Sequence, residues 1–298
     1  MTTEETRTFP CDLCGADDPA EIAIARHYTN GQPLHVCRSC GFVYVRERRS
    51  ARAIANTWTE ELYKTSYTAR IPAVKARQVF VGEMIDATLG LRGNRLCDIG
   101  GGEGQFLEIA RGPDYGADVF AIEPSPINGR ALSDLGVKHF QGTIEEFAAS
   151  GQACESFDIV TIMWTLENCQ DCRAMLDAAY ALLKPNGHVV VATGSRILVP
   201  FKKPLQLYLS TNPADTHCFR FSANTLRGIL AECGLEVAHT NRHIDHDVLC
   251  MIARKTDRSR PISWQKDDYR EVIDFFQRWH RETQDHYAVV EDRSGRAG

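Results

Sequence analysis

The sequence lacks three features that would direct it to a membrane, out of the cell or onto nucleic acid. No run of apolar residues approaches the roughly 18 that a membrane-spanning helix needs. Residues 2–5 are polar or acidic and provide no apolar signal core, so we expect a cytoplasmic protein without disulfides. The net charge of −5 gives no electrostatic reason to expect nucleic acid as the main partner.

The composition is that of an ordinary globular protein. Of the 298 residues, 43% are hydrophobic and 24% are charged. This length suits one large domain and one small domain. The chain contains no internal repeat, and we interpret the basic stretch at residues 46–52 as a solvated helix face or a linker.

Four cysteines near the N-terminus stand in two closely spaced pairs. Cys11 and Cys14 form one Cys-x-x-Cys pair, Cys37 and Cys40 form the other, and 22 residues separate the pairs. Four thiolates complete a tetrahedral zinc site with no open position, so this spacing predicts structural rather than catalytic zinc. Two coincidental pairs and two disulfides are the alternatives. We call the segment that carries these cysteines the ribbon. It is too small to bury a sufficient hydrophobic core, so we expect the metal to supply its folding energy.

A glycine-rich turn follows a short apolar strand in the middle of the chain. It runs from Asp98 through Gly100, Gly102 and Gly104, and an apolar helical pattern begins directly after it. Glycines let the backbone bend sharply and approach a ligand closely. Phosphate loops share such a turn, so the turn alone is a weak signal. Glu123, which ends a second apolar strand, stands where a nucleotide-binding fold places its ribose hydroxyl acceptor.

Apolar strands alternate with helical segments from the glycine turn to about residue 253. This alternation predicts a parallel sheet with helices on both faces. A further aromatic-bearing helix is predicted at about residues 267–282. We predict four regions: a zinc ribbon at 1–46, a helical linker or lid at 47–92, a ligand-binding domain at 93–256, and a C-terminal helix and tail at 257–298.

Several motifs in order resemble the class I S-adenosylmethionine-dependent methyltransferases. The resemblance covers residues 78–255 and rests on the family's first motif at 98–104, its ribose-binding acid at Glu123, its fourth strand at 157–164, and its "LKPGG" turn and fifth strand at 182–192, which has Asn186 in place of a glycine. A dehydrogenase would carry Gly-x-Gly-x-x-Gly at the first of these positions. The resemblance implies an α/β fold with a Rossmann-like, seven-stranded sheet and an antiparallel strand at 248–253.

The same resemblance implies a binding site for S-adenosylmethionine at the carboxyl ends of the strands. It assigns Asp98, Gly100, Gly102 and Gly104 to the cofactor, Glu123 to the ribose, and Thr143 and Ile144 to the adenine. Tyr63 and Tyr67 resemble a "Y-x-x-x-Y" segment of zinc-ribbon methyltransferases. This implies that Tyr67 covers the cofactor, with aromatic packing as the alternative.

Two residues are candidates for proton transfer, and His217 is the preferred general base. Glu167 follows the fourth strand, where many relatives read Leu-Glu-His, but Asn168 replaces the histidine. The glutamate therefore either faces the methyl group or binds backbone amides of its own turn. His217 lies in a segment resembling the "H-x-x-x-F-S" of small-molecule and sugar methyltransferases. An imidazole with a pKa near 6.5 suits proton removal, and holding the loop by hydrogen bonds is the alternative.

Other polar clusters have less defined roles. Basic side chains between the fifth and sixth strands could bind a phosphate or carboxylate of the substrate: Lys202, Lys203 and Arg220. A second metal site could form from Cys169, Cys172 and Cys218, or from His243 and His246. Turn formation explains the spacing of both sets without a metal.

The resemblance favours methylation, at oxygen or carbon, of a sugar, a sugar nucleotide or a related small molecule. Two alternatives stay open. The ribbon could recognise RNA in an RNA base methyltransferase, or the chain could be an inactive scaffold that has kept the fold. The acceptor and the oligomeric state are also open, with a homodimer among the possibilities.

Overall fold

A computed structural model of the protein describes residues 6–59, 72–151, 155–197, 200, 204–209, 214–241 and 248–294, with side chains up to residue 283. Its two main parts are a seven-stranded sheet between helices and a smaller sheet that carries the four N-terminal cysteines. The predicted α/β class with an N-terminal ribbon is thereby confirmed.

The N-terminal part consists of short strands followed by two helices. The strands are β1 (Arg7–Thr8), β2 (Pro19–Glu21), β3 (His35–Cys37), β4 (Val43–Tyr44) and β5 (Glu47–Arg48). Strands β2, β3 and β4 form an antiparallel sheet, and β1 pairs separately with β5. The helices α1 (Ala51–Thr57) and α2 (Pro72–Leu89) occupy much of the region predicted to be helical.

The central sheet has six parallel strands and one antiparallel strand. They are β6 (Arg95–Ile99), β7 (Asp118–Glu123), β8 (Lys138–Gln141), β9 (Phe157–Met163), β10 (Leu183–Gly194), β12 (Leu235–Thr240) and β13 (Val248–Lys255), and β11 (Phe219–Arg220) lies outside this sheet. The spatial order is β12-β13-β10-β9-β6-β7-β8. Strand β13 pairs antiparallel with both of its neighbours, as the resemblance implied, and it lies inside the sheet although it is last in the chain.

Helices cover both faces of this sheet. They are α3 (Gln105–Arg111), α4 (Pro126–Asp134), α5 (Ile144–Ala149), α6 (Cys172–Leu182) and α8 (Ala223–Glu232), and two further helices lie elsewhere, α7 (Leu205–Leu209) and α9 (Tyr269–Ser294). In β10, Val189 and Val191 face a core shared with α5, α6 and α8, whereas Val190 and Ala192 face a core shared with α2, α3 and α4. This alternation follows from the two-residue repeat of a strand.

The ribbon is joined to the rest of the chain through β11 and α9. Strand β11 adds to the ribbon sheet by pairing antiparallel with β4, Phe219 opposite Tyr44. Helix α9, which is longer than predicted, packs Val272 and Phe276 against the same ribbon. None of the described helices combines the length and apolar character that crossing a bilayer requires.

Candidate active site

The glycine turn after β6 is fixed by backbone geometry and close packing. Gly100, Gly102 and Gly104 all have positive φ angles, at 75°, 55° and 81°. A Cβ on Gly100 would lie 2.5 Å from Thr165 Oγ1, and one on Gly104 would lie 2.8 Å from Leu132 Cδ2. A Cβ on Gly102 would have no neighbour within 4 Å, because that residue faces open space. The turn therefore leaves room above Gly102 for a ligand to approach the backbone.

Glu123 is held beside this turn by three donors. Its carboxylate accepts from the backbone N–H groups of Gly102 and Ser125, each at 2.8 Å, and from Asn128 Nδ2 at 3.3 Å. Burial raises the pKa of Glu123, and these hydrogen bonds oppose the shift. A carboxylate has about four acceptor positions, so this one retains capacity for a ligand hydroxyl.

Asp98 lies beneath the turn. Thr161 Oγ1 donates to its Oδ1 at 2.6 Å, and burial raises the pKa of Asp98 to about 7. The nearby Glu123 carboxylate also raises this pKa. The two acids at the ends of β6 and β7 thus share one low-dielectric site, which favours a ligand that brings hydrogen-bond donors or positive charge.

A cavity of about 310 Å³ opens at the carboxyl ends of the parallel strands. Eight of the predicted site residues line it: Asp98, Gly100, Gly102, Glu123, Thr143, Ile144, Glu167 and His217. Gly104 lies beneath the turn against α4 and does not line the cavity. Tyr67 lies outside the described residues. We call the part formed by residues 98–144 the cofactor half, and the part formed by Trp58, Arg77, Glu167, Asn168 and His217 the acceptor half.

In the cofactor half, Thr143 caps the N-terminus of helix α5. Its hydroxyl accepts from the backbone N–H of Glu146 at 3.3 Å, and the Glu146 carboxylate accepts from the backbone N–H of Thr143 at 2.9 Å. This capping box begins helix α5. The neighbouring Ile144 is buried and provides an apolar wall.

Glu167 is the most unusual group in the acceptor half. It is only 9% exposed, and its Oε2 has no hydrogen-bond partner among the described residues. Burial raises the pKa of Glu167 to about 7, opposed by hydrogen bonds from its own backbone N–H and from Thr193 and by the charges of Arg77 and Arg220. Such a carboxyl suits proton transfer near neutral pH.

His217 lies on the same side of the cavity. Its ring packs against Trp58, with the ring centroids 5.5 Å apart. Asn168, which replaces the relatives' histidine, donates from Nδ2 to the Trp164 carbonyl at 2.8 Å and so closes its own turn. Arg220 is buried, donates to the His217 carbonyl and does not line the cavity, so its position does not support the expected anion-binding role. Lys202 and Lys203 lie outside the described residues.

Sequence reasoning missed several polar groups of this cavity. These buried atoms have no hydrogen-bond partner among the described residues and belong to side chains that line the cavity: Trp58 Nε1, Arg77 Nε, Gln78 Oε1, Gln105 Oε1 and Asn168 Oδ1. Arg77 and Gln78 come from α2, and Trp58 directly follows α1, in a region whose sequence shows only helical spacing. Among them, only Asn168 was singled out by a motif, because the fold brings the others to the cavity from distant positions.

The four ribbon cysteines have the geometry of a zinc site. The Cys11 and Cys40 Sγ atoms lie 3.6 Å apart, as do those of Cys14 and Cys37, and all four lie within 4.8 Å of one another. Zinc–sulfur bonds of about 2.3 Å in a tetrahedron place sulfur atoms about 3.8 Å apart, so these residues fit the metal. The N–H of Gly15 donates to the Cys11 carbonyl at 2.7 Å, which closes the first turn.

The second metal site considered from the sequence does not form in the described part of the chain. Within it, the ribbon cysteines make up the group with metal-binding spacing. Cys169 and Cys218 each donate from Sγ to a nearby carbonyl, of Leu166 at 3.2 Å and of Asp215 at 3.1 Å. His243 and His246 lie outside the described residues.

The sequence model of the methyltransferase-domain family matches residues 74–240, which is more than half of the chain. The chain belongs to this methyltransferase family. The resemblance to class I methyltransferases that the motifs indicated is thereby confirmed, and the matched region contains both halves of the cavity except for Trp58.

Curated methyltransferases and solved structures agree with this assignment. The chain is 32% identical over 154 residues to a ubiquinone biosynthesis O-methyltransferase of Cronobacter sakazakii, covering 48% of this chain and 58% of that protein. It is 35% identical over 137 residues to the protein of that name in Azorhizobium caulinodans, covering 43% and 52%. The chain thus spans about half the length of these curated relatives.

One solved structure illustrates the shared fold. It is the Burkholderia thailandensis 1,6-didemethyltoxoflavin-N1-methyltransferase with bound 1,6-didemethyltoxoflavin and S-adenosylhomocysteine. The TM-score is 0.53 at 17% identity, over 72% of this chain and 96% of that one. At this identity the likeness concerns the fold alone.

Proposed function

We propose that this protein transfers the methyl group of S-adenosylmethionine to a hydroxyl-bearing small molecule bound in the acceptor half. The observation that carries the proposal is one continuous cavity. It joins the glycine turn and Glu123 at one end to the Glu167 carboxylate, with its unpartnered oxygen, at the other. A sugar or a sugar nucleotide is the acceptor class that we favour.

In the cofactor half, the chain binds and orients the methyl donor. S-adenosylmethionine supplies, when bound, an electrophilic methyl group on a sulfonium sulfur. Three donors of the chain already bind the Glu123 carboxylate, and its remaining acceptor position binds a ribose hydroxyl. Gly102 permits close approach of the amino acid part, and Ile144 forms an apolar wall for the adenine.

In the acceptor half, Glu167 removes the proton of the acceptor hydroxyl. Its Oε2 is buried and has no partner in the described chain, so it can accept a hydrogen bond from that hydroxyl. With a pKa raised to about 7 by burial, roughly half of the carboxyl is ionised at neutral pH. His217 lies on the same wall and positions the acceptor against Trp58.

The lining of the acceptor half favours a ring that carries several hydroxyls. Buried polar atoms of Arg77, Glu167 and Asn168, and of Gln78 next to Arg77, have no partner in the described chain and can form hydrogen bonds with an acceptor. The indole of Trp58 offers an amphipathic wall that suits the apolar face of a sugar ring. Since buried polar groups are normally satisfied, this lining favours a polar acceptor over an apolar one.

A phenolic or quinol hydroxyl is a second candidate. The curated relatives are named ubiquinone biosynthesis O-methyltransferases. Met163 and Trp164 also line the cavity and would pack against an aromatic ring.

The four cysteines hold a structural zinc in this proposal. Four thiolates complete the tetrahedral shell, so no coordination position is open to the acceptor. The metal maintains the ribbon fold, and the proton transfer falls to the side chains in the cavity.

The proposal is tested by incubating the zinc-loaded protein with S-adenosylmethionine labelled in the methyl group. The acceptor panel contains nucleotide sugars, free sugars, catechols and bulk tRNA, and Glu167→Gln is assayed beside Glu108→Gln, an exposed glutamate on α3. We expect labelled sugar product from the wild type and from Glu108→Gln, and a loss of about 100-fold or more in Glu167→Gln. Label on catechols alone would favour the second candidate. Label on tRNA alone, or on no acceptor by a protein that binds S-adenosylhomocysteine, would contradict both.

A further inference from the structure

The ribbon of residues 6–48 packs directly on the two segments that carry Glu167 and His217. We infer that this ribbon supports the acceptor half from behind without lining the cavity, and that Arg48 is the positioning residue that joins the first cysteine turn to both segments. The inference rests on the proposed function in taking these two segments as the acceptor side of the cavity.

Arg48 connects the first cysteine turn to the segment after Glu167. Its side chain has no exposed surface, and its guanidinium donates to both carboxylate oxygens of Asp12, at 2.9 and 2.6 Å. Asp12 lies between Cys11 and Cys14 in the first pair of the zinc site. The same guanidinium donates to the carbonyl of Gln170, three residues after Glu167.

The Arg48 guanidinium also contacts the segment that carries His217. It lies over the ring of Phe219 at 4.7 Å from the centroid, and over the ring of Phe9 at 4.4 Å. Phe219 is two residues after His217 and belongs to β11, which adds to the ribbon sheet. The backbone N–H of Val45 donates to the Cys218 carbonyl at 2.8 Å, so backbone bonds continue along this edge.

Neighbouring side chains strengthen both connections. On α6, Arg173 donates to the Asp12 carbonyl at 2.8 Å and to the Leu13 carbonyl at 2.5 Å. Arg49 binds the Asp215 carboxylate at 2.7 Å, two residues before His217. The backbone carbonyl of Arg49 accepts a hydrogen bond from Gln170 Nε2 at 2.6 Å. The acceptor-side segments are therefore tied to the ribbon and also to each other.

A buried ion pair such as Arg48–Asp12 is not needed merely to attach the ribbon to the rest of the protein. Apolar packing would hold the ribbon at no cost in charge desolvation, whereas a buried ion pair is a weak source of net stability. The Arg48–Asp12 pair does, however, impose one fixed geometry, since its donors are used on Asp12, Val45 and Gln170. Fixed geometry is what a residue controlling the position of Glu167 needs.

Hydrogen exchange of the full-length, zinc-loaded protein tests this inference without an acceptor. Arg48→Met removes the guanidinium and keeps the four cysteines. Arg173→Met is the milder second variant, because it leaves no buried charge without its partner. Arg46→Met is the control, since Arg46 lies two residues from Arg48 in the same ribbon but pairs with the exposed Asp17. Zinc content is measured for each protein.

We expect all variants to retain zinc, with about tenfold faster exchange in peptides covering residues 164–173 and 214–222 for Arg48→Met, and a smaller increase for Arg173→Met. Peptides covering residues 95–111 and the affinity for S-adenosylhomocysteine should match the wild type, and Arg46→Met should match it throughout. Faster exchange confined to residues 6–48, or spread evenly over the chain, would overturn the inference.

Where the acceptor panel yields a product, kcat of Arg48→Met should fall about tenfold or more. An unchanged kcat would overturn the inference, and a lack of product would count only against the proposed function.

Discussion

The two halves of the cavity differ in how the chain builds them. The cofactor half uses residues 98–144, which follow one another along three strands and are joined by hydrogen bonds such as the one from the Gly102 N–H to Glu123. The acceptor half draws on α1, α2, the turn after β9 and the segment before β11, which are distant in the chain. Long-range bonds, such as the one from Arg48 to the Gln170 carbonyl, connect some of these parts. The cofactor half therefore comes from one continuous stretch of the sequence, whereas our inference makes the acceptor half depend on the ribbon.

The largest expected effect is loss of the metal. Cys11→Ser removes one of four thiolates, and we expect loss of zinc and unfolding of the ribbon, because metal binding and folding of such a unit are coupled. Metal analysis and urea unfolding measure both. Cys169→Ala is the control, since Cys169 lies outside the ribbon cluster and should retain the zinc with a cost of about 1–2 kcal/mol. Zinc retained by Cys11→Ser would contradict the assignment.

Glu167→Gln should affect the acceptor half alone. Removal of a general base lowers kcat by roughly 10²–10⁴-fold, while binding in the cofactor half is unchanged. In the wild type, kcat should rise with pH through about 7 and then level, because the active form is the ionised carboxylate and burial raises its pKa to about 7. His217→Gln should keep this inflection. An inflection that disappears in His217→Gln and persists in Glu167→Gln would assign the proton transfer to the histidine.

Substitutions at two glycines of the cofactor half test packing and ligand access separately. Gly100→Ala should destabilise the protein by about 2–3 kcal/mol, because its Cβ would meet Thr165 Oγ1 in addition to the strain at positive φ. Gly102→Ala should cost only about 1 kcal/mol, from the backbone strain, but should weaken S-adenosylhomocysteine binding. Urea unfolding and calorimetric titration measure the two quantities. Equal destabilisation by both substitutions would contradict the packing argument.

The smallest expected effect is at Thr143. Thr143→Ala removes the N-cap of α5 and should cost about 1 kcal/mol of stability, with S-adenosylhomocysteine affinity unchanged. Thr143→Ser keeps the hydroxyl and should restore the stability. A loss of affinity in Thr143→Ala that serine restores would show that the hydroxyl also serves the ligand.

The contrast between the halves also explains what could be predicted from the sequence. The glycine turn, Glu123 and the cysteine pairs belong to recognisable motifs, so their spacing and the resemblance to methyltransferases indicated their place in the fold. The ion pair of Arg48 with Asp12 could not be foreseen, because residues 46–52 have the composition of a solvated helix face. The addition of Phe219 and Arg220 to the ribbon sheet depends on pairing across 175 residues (Tyr44 to Phe219), which no local pattern encodes. Arg220, which the sequence offered as one possible anion-binding residue, is buried and donates to the His217 carbonyl.

The most direct test of the two-half account is a parallel calorimetric titration of Glu123→Ala and Glu167→Gln with S-adenosylhomocysteine, both zinc-loaded. The account predicts that Glu123→Ala loses about 100-fold in affinity, equivalent to about 2.7 kcal/mol. Glu167→Gln should bind within about twofold of the wild type, since its carboxylate lies in the acceptor half. A comparable loss in both variants, or wild-type affinity in Glu123→Ala, would contradict the division of the cavity into a cofactor half and an acceptor half.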